Sequence, residues 1–269
     1  MCYYNTQKVR QSDIISLREI KKPISAYDLF HRDLQIGFDY SLNTVLKRRE
    51  DEEDFELAQM EWGFIPHYMN TREDVFKMRN GFTDDTGRYR PAIITLNAVA
   101  EELLKPGKIY KDATLNRRCL VLSTGFFEWR HVFPTNKRTG LPLKTPNKIP
   151  YYISLKDREY FFMAGVWQPW TDKATGEYVE SFAVVTTEAN SFMAQIHNSK
   201  KRMPVILNEE LAYEWLLGNI NEQRIAEIAA FRFPASEMKA CTIAKDFRDA
   251  PEPAKEFQYE DLPALELNL

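Results

Sequence analysis

The stretch RCLVLSTGFFEWR (residues 118–130) places an apolar strand, a glycine turn and an aromatic run one after another. β-Branched and aromatic residues favour strands, and glycine marks a change of chain direction. Short connections of this kind are typical of antiparallel pairing rather than of strand–helix–strand winding. The stretch therefore predicts the centre of a β-rich fold.

On either side of residues 118–130, the periodic spacing of apolar residues predicts further strands and helices. Strands are expected at 62–66, 150–156, 160–167, 180–187, 202–207 and 239–244, with 160–167 and 180–187 forming a hairpin. Helices are expected as two short pieces in 12–34 broken at Pro23, and at 98–104, 190–196, 208–218 and 221–231. The polar segments 67–91 and 131–149 are expected to be loops.

These elements predict an α+β fold. Residues 2–250 should form a single domain, with a curved, mainly antiparallel sheet or barrel-like core flanked by helices. An acidic tail (251–269) should follow it.

Composition narrows the class of protein. The 269 residues are 44% hydrophobic, which allows a substantial core. No run of eighteen apolar residues and no signal-peptide pattern occurs, so we expect a cytoplasmic protein with no membrane partner. The net charge of −3 argues against a broad nucleic-acid surface but allows a small basic groove.

Cofactor and metal motifs are missing from the sequence. Three cysteines without CxxC or CxxH spacing indicate neither a disulfide framework nor a zinc site. No GxGxxG, GxxxxGK[ST], GxSxG or HExxH motif occurs. We therefore expect no metal and no cofactor. Nothing in the sequence indicates an oligomer, so we also expect a monomer.

Cys2 directly follows the initiator methionine. Aminopeptidases remove Met1 when residue 2 is small, which would leave Cys2 with a free α-amine beside its thiol. No internal residue offers this 1,2-aminothiol. The alternative is a small buried apolar residue with no chemical role.

Three polar residues are candidate partners for such a nucleophile. Glu128 lies among aromatic residues that can raise its pKa by desolvation, although strand alternation can equally point it to solvent. His197 lies between a short helix and a strand, where site residues are common, but lone histidines are often structural. Asn97 is either a helix N-cap or a hydrogen-bond donor to a reacting oxygen.

A basic cluster and one aromatic segment can be interpreted as a surface for DNA. Lys200, Lys201 and Arg202 form either a solvated patch or a phosphate-binding site. Trp62 is most simply a core residue, but it could stack on an unpaired base.

Seven features occur in one order along almost the whole chain: Cys2, WGFIP (62–66), LNA (96–98), GFFEW (125–129), VVTTEAN (184–190), IHNSKKRMPVIL (196–207) and ACTIA (240–244). Each is weak alone. Together they resemble the SOS-response-associated peptidase (SRAP) family, the abasic-site cross-linking proteins.

The resemblance implies covalent capture of abasic sites in single-stranded DNA through the mature N-terminal cysteine, in a thiazolidine ring. Such capture protects the lesion during the DNA damage response, and a lyase-like reversal is possible. The implied catalytic residues are Cys2, Asn97, Glu128 and His197. The implied or expected DNA contacts are Trp62, Pro66, Thr186, Lys200, Lys201 and Arg202.

The chain departs from the family pattern in three places. Tyr3 and Tyr4 stand where the family has Gly-Arg, and Val99 stands where it has the arginine of its Asn-Ala-Arg motif. Additional residues separate His197 from Arg202. Lys200 or Lys201 is a candidate replacement for the missing charge.

Other functions compatible with an N-terminal cysteine remain open at this point. An N-terminal-nucleophile amidohydrolase would use the α-amine as a base and release ammonia from glutamine. A Cys–His peptidase would use the thiol on peptides, including the Met1 bond. A non-covalent single-strand binding module would not need the thiol at all.

Overall fold

The computed structural model describes residues 2–24, 32–50, 52–136, 138–260 and 262–266. Within these ranges the strands are β1 (Tyr4–Thr6), β2 (Ile14–Leu17), β3 (Ile20–Pro23), β4 (Gln35–Ile36), β5 (Leu42–Arg48), β6 (Phe55–Trp62), β7 (Phe82–Thr83), β8 (Tyr89–Arg90), β9 (Asn97–Val99), β10 (Arg118–Ser123), β11 (Gly125–Val132), β12 (Asn147–Leu155), β13 (Phe161–Thr171), β14 (Tyr178–Glu188), β15 (Arg202–Pro204), β16 (Ile206–Leu207) and β17 (Met238–Thr242). The α-helices there are α1 (Arg72–Asn80), α2 (Lys111–Asn116), α3 (Met193–Ile196), α4 (Glu209–Leu217) and α5 (Glu222–Ala229).

Five strands close into a barrel. Their order is β14-β6-β5-β10-β13, and β13 pairs again with β14 to complete the ring. All of these pairings are antiparallel except that between β6 and β14, which is parallel. The short strand β9 also pairs with β14 in parallel, on the outside of the ring path. The α+β class with a barrel-like, mainly antiparallel core is thus confirmed.

A second, antiparallel sheet has the strand order β17-β12-β11-β1-β4. The quoted stretch connects the two sheets, because β10 ends at Ser123 in the barrel and β11 begins at Gly125 in the second sheet. A Cβ atom at position 125 would lie 2.2 Å from the hydroxyl of Tyr152, so glycine allows that ring to pack against the turn.

Two apolar clusters of the hydrophobic core follow the arrangement of the two sheets. One apolar cluster joins the barrel to α4 and α5, with the buried indole of Trp215 donating to the carbonyl oxygen of Cys119 at 3.0 Å. A second cluster joins barrel residues such as Met163 to Phe126 of the second sheet and includes Cys2. The amino-terminal segment is therefore packed between the two sheets.

Several local predictions are confirmed. The strands predicted at 160–167 and 180–187 form the hairpin β13–β14. The helix predicted at 190–196 is the short helix α3, and the side chain of Asn190 accepts from the backbone N–H of Met193 at its start. Asn208 caps α4 by accepting from Leu211, and Gly218 follows the last turn.

Other local predictions are wrong. The expected helix in 12–23 is the hairpin β2–β3, because Ile15 and Leu17 alternate into the core as strand residues do. The second predicted piece in 12–34 falls largely on residues 25–31, which lie outside the described ranges. The strand predicted at 62–66 is wrong beyond its first residue, because β6 begins at Phe55 and ends at Trp62.

The expected loop 67–91 contains helix α1. Thr71 accepts from the backbone N–H of Asp74 and the Asp74 carboxylate accepts from Thr71, which is a capping box. The helix predicted at 98–104 is reduced to a single 3₁₀ turn, and Asn97 belongs to β9 rather than to a cap. Pairing of Asn97 with Val184 on β14 overrides the local helical pattern.

None of the helices in the described ranges is both long and apolar enough to cross a lipid bilayer.

Candidate functional site

Cys2 lies in the interior, just before β1 begins. Its side chain is 0% exposed, and its thiol lies 3.7 Å from the carbonyl oxygen of Tyr4. Burial, reinforced by the nearby Glu128, raises the pKa of the Cys2 thiol to about 12. The thiol is therefore neutral near pH 7 in this structure.

Glu128 lies on β11 and is also buried, with 3% of its surface exposed. Both faces of β11 are covered here, because Phe126 packs into the Cys2 cluster and Phe127 packs against Phe247 on the other side. Burial raises the pKa of Glu128 to about 7, although the positive charge of the amino terminus acts in the opposite direction. The solvent-facing alternative is thus wrong.

His197 directly follows α3, which positions its ring against Glu128. The imidazole Nδ1 donates to the carbonyl oxygen of Arg202 at 2.7 Å, and Nε2 lies 3.8 Å from the Glu128 carboxyl group. Burial and then the charge of the amino terminus lower the pKa of His197 to about 4. A neutral ring that donates through Nδ1 presents Nε2 to Glu128 as an acceptor.

Asn97 completes the group from the opposite side. Its amide nitrogen donates to the carbonyl oxygen of Cys2 at 2.9 Å. Its amide oxygen is buried and has no hydrogen-bond partner among the described residues. Because β9 is held in parallel register on β14, this side chain reaches the amino-terminal segment from the barrel wall.

The structure thus brings together all four predicted catalytic residues. A thiol lies beside a carboxyl group whose pKa is near neutrality and a neutral imidazole, with an amide fixing the adjoining backbone. This set can transfer protons at pH 7 to and from a group that reacts at the amino terminus. Among the described residues, no three His, Cys, Asp or Glu side chains are arranged to hold a metal ion.

Three of the predicted DNA contacts lie in the interior. Trp62 is 1% exposed and its indole donates to the carbonyl oxygen of Leu96, so the core interpretation describes it. Pro66 is buried, and Thr186 is 0% exposed. In this structure their side chains offer no surface to a strand of DNA. Tyr68, two residues after Pro66, is by contrast 52% exposed to solvent.

The predicted cations differ from one another in their surroundings. Lys200 and Lys201 are exposed. Arg202 instead makes a bidentate ion pair with Glu101, at 2.7 and 2.8 Å, and also donates to the carbonyl oxygen of Thr186. The two lysines are therefore more accessible to a phosphate than the arginine is.

Two features close to the site were not predicted. Arg130 lies two residues beyond Glu128 on β11, so strand alternation places both side chains on one face. Tyr3 packs against Phe38, with ring centroids 4.9 Å apart, next to Cys2. Alternation from Glu128 could have identified Arg130, whereas the contact between Tyr3 and Phe38 is long-range and has no local signal.

All residues of the candidate site lie in the part of the chain that resembles known proteins. The family model for SOS response associated peptidase (SRAP) matches residues 1–249. The abasic site processing protein YoqW of Bacillus subtilis is 24% identical over 216 residues, which are 80% of each chain. The abasic site processing protein HMCES of Xenopus tropicalis is 28% identical over 172 residues, covering 62% of this chain and 46% of that one.

A solved structure shares the fold. A protein from Bacteroides thetaiotaomicron superposes with a TM-score of 0.69 at 28% identity, covering 96% of this chain and all of the other.

The raised pKa of Glu128 predicts a specific dependence of stability on pH. Between the ordinary value of 4.5 and about 7, the folded chain keeps a proton that the unfolded chain loses. Glu128 therefore destabilises the fold progressively as pH rises through this window, by roughly 3 kcal/mol for a shift of this size. Glu128→Gln should gain stability relative to wild type by an amount of that order between pH 4.5 and 7.

His197 has the opposite dependence, because its lowered pKa means that the fold gains stability as pH rises from about 4 towards 6.5. The two effects oppose each other in wild type, and removal of the Glu128 carboxyl group leaves the dependence due to His197. Urea denaturation across this pH range measures the difference, with exposed Glu210→Gln as the matched control. A stability difference between Glu128→Gln and wild type that does not change with pH would contradict the raised pKa.

Proposed function

This chain belongs to the SOS response associated peptidase family, and from that premise we propose that it captures abasic sites in single-stranded DNA. The capture is covalent and uses the α-amine and thiol of Cys2 after removal of Met1. Relatives in the family are named abasic site processing proteins. The observation that carries the proposal is the convergence of Asn97, Glu128 and His197 on the amino-terminal Cys2.

The first step is attack of the amine on the sugar. An abasic deoxyribose equilibrates with an open-chain aldehyde, which condenses only with an uncharged amine. With a pKa near 7.7–8.0, about a fifth to a third of α-amines are uncharged at pH 7.4, against about a thousandth of lysines. The amino terminus is therefore the most reactive amine available without a special environment.

The second step makes the adduct durable. Condensation forms a C=N bond and releases one water molecule. The Cys2 thiol then adds across that bond: a C–S bond forms at the former aldehyde carbon, and the thiol proton passes to nitrogen. The product is a five-membered thiazolidine. Because both nucleophiles belong to one residue, their effective concentration is high.

Glu128 and His197 supply the proton transfers. Protonated Glu128, with its pKa near 7, donates to the hydroxyl group that leaves as water. Neutral His197 accepts a proton through Nε2, since Nδ1 is bound to the Arg202 carbonyl. The lowered pKa of His197 keeps the imidazole neutral near pH 7, so it acts as a base rather than as a general acid.

Asn97 holds the backbone on which the reaction takes place. Its hydrogen bond to the Cys2 carbonyl fixes the residue that carries both nucleophiles. Its buried amide oxygen is available to accept from the α-amine or from a sugar hydroxyl. Leaving this oxygen buried without a partner is unfavourable, so a bound substrate would also satisfy the site.

The Cys–His peptidase alternative has less support from the geometry. The two ring nitrogens of His197 are directed at Arg202 and at Glu128, whereas a thiol peptidase requires the imidazole to activate the sulfur.

Removal of the thiol should abolish stable capture. Wild type incubated with an abasic single-stranded oligonucleotide should migrate as a covalent complex on a denaturing gel, and Cys2→Ala should not. Cys241→Ser, which changes a half-buried thiol elsewhere in the chain, serves as the control and should capture normally. Intact mass spectrometry checks the premise: capture by a protein that retains Met1, or a stable Cys2→Ala adduct, overturns the mechanism.

Removal of the Glu128 proton should slow capture without preventing binding. We expect Glu128→Gln to reduce the capture rate about 10²- to 10⁴-fold, the usual contribution of a general acid. Wild type should show a rate maximum near pH 7, because the free amine increases with pH while protonated Glu128 decreases. The variant should lose the decline above that pH. An unchanged pH profile would assign the proton transfer to another group, and Glu210→Gln is the control.

The exposed lysines should bind phosphate. Reversing the charge of both Lys200 and Lys201 should weaken binding of an undamaged single-stranded oligonucleotide. For single strands, each lost phosphate contact reduces the slope of log K against log salt by about 0.7. Fluorescence anisotropy across salt concentrations measures this, with Lys239→Glu combined with Lys255→Glu as the matched control. Equal affinity at every salt concentration would exclude the two lysines from the DNA site.

A further inference from the structure

Arg130 extends the site along β11. Glu128 lies opposite Tyr151 on β12, and Arg130 lies opposite Ile149, so the arginine is one step further along the same face. Its side chain is half-buried, and its guanidinium lies 3.4 Å from the Tyr151 hydroxyl. A basic side chain therefore lies on the same face of β11, two residues from the carboxyl group that the proposed reaction uses.

The remaining partners of Arg130 come from the end of the chain. Its guanidinium donates to the carbonyl oxygen of Pro263 and lies 3.5 Å from that of Ala264. We name residues 262–266 the terminal strap. The strap lies beyond residue 249, where the match to the family model ends.

The terminal strap also binds the element that leads to His197. The Gln195 amide donates to the carbonyl oxygen of Glu266 at 2.8 Å, and the Glu266 N–H donates back at 2.6 Å. Leu262 and Leu265 are half-buried and pack against the apolar cluster that contains Cys2. The strap therefore bridges β11 and α3, the elements that hold the proposed proton-transfer pair.

The contacts of Arg130 are weak ones for a guanidinium. Among the described residues it makes no ion pair, and its hydrogen-bond acceptors are uncharged oxygens. Arg202, in contrast, is already paired with the Glu101 carboxylate. A phosphate group accepts two charge-assisted hydrogen bonds from arginine and is a stronger partner than two main-chain carbonyls.

We propose that Arg130 is a phosphate-binding residue of the single-stranded DNA site, and that the terminal strap occupies its guanidinium until DNA displaces it. The substrate class rests on the proposed function. Displacement breaks the Gln195–Glu266 pair and exposes Leu262 and Leu265, so the strap opposes binding. A DNA strand whose phosphate binds Arg130 offsets the free energy lost with these strap contacts. The face of β11 beside Glu128 is then open.

The experiment keeps the full-length chain and combines two changes in a double-mutant cycle. Gln195→Ala with Leu265→Ser loosens the terminal strap, which amide hydrogen exchange at 262–266 verifies. Arg130→Gln is made in both the wild-type and the loosened backgrounds. The probe is an undamaged single-stranded oligonucleotide, and its Kd and salt dependence are measured by anisotropy. Arg224→Gln, a remote surface arginine on α5, is the matched control.

Loosening the strap should tighten binding about three- to tenfold, and this gain should disappear when Arg130 is Gln. Arg130→Gln should also reduce the salt slope by about 0.7, the loss of one phosphate contact. A gain that persists without Arg130, or no gain although hydrogen exchange shows a loosened strap, overturns the proposal.

Undamaged DNA has no aldehyde, so the Kd measured with it tests this inference separately from covalent capture. Strap-dependent binding without a covalent adduct on abasic DNA would refute the capture mechanism alone. Normal capture with an inactive strap would refute this inference alone. Absence of any binding to single-stranded DNA in every variant would refute the role of Arg130.

Discussion

Burial of the Glu128 carboxyl group between two sheets is the constraint on which the site depends. A carboxyl group removed from water keeps its proton to higher pH, and Glu128 has a pKa near 7 for this reason. The same enclosure lowers the pKa of His197 and keeps the imidazole neutral. A carboxyl group that would be ionised in water is thus partly protonated at pH 7, and it lies 3.8 Å from an imidazole that is neutral at that pH.

The enclosure follows from the way the sheets are joined. The chain leaves the barrel at Ser123 and enters the second sheet at Gly125, so β11 is covered on both faces. Barrel strand β14 holds β9 in parallel and so delivers Asn97 to the carbonyl of Cys2. The terminal strap then closes the side of the site beyond Arg130. Both ends of the described chain are in this way packed against the same site.

The basic side chains near the site differ from one another in accessibility. The guanidinium of Arg202 is already paired with the Glu101 carboxylate. The accessible positive charge lies instead on Lys200 and Lys201 and, in our proposal, on Arg130 once the strap leaves.

The sequence by itself determined the β-rich class and identified Cys2 as the residue that could carry an aminothiol. The aminothiol belongs to a single residue, and strand alternation and turn signals are local, so both can be identified without a fold. Only the tertiary structure decided that Glu128 is buried, that Asn97 is in a strand, and that Trp62 and Thr186 are internal. Burial on both faces of β11 and pairing of Asn97 with Val184 depend on residues far away in the chain. The contact between Arg130 and the terminal strap has the same origin, because no local pattern records which distant carbonyl a side chain will meet.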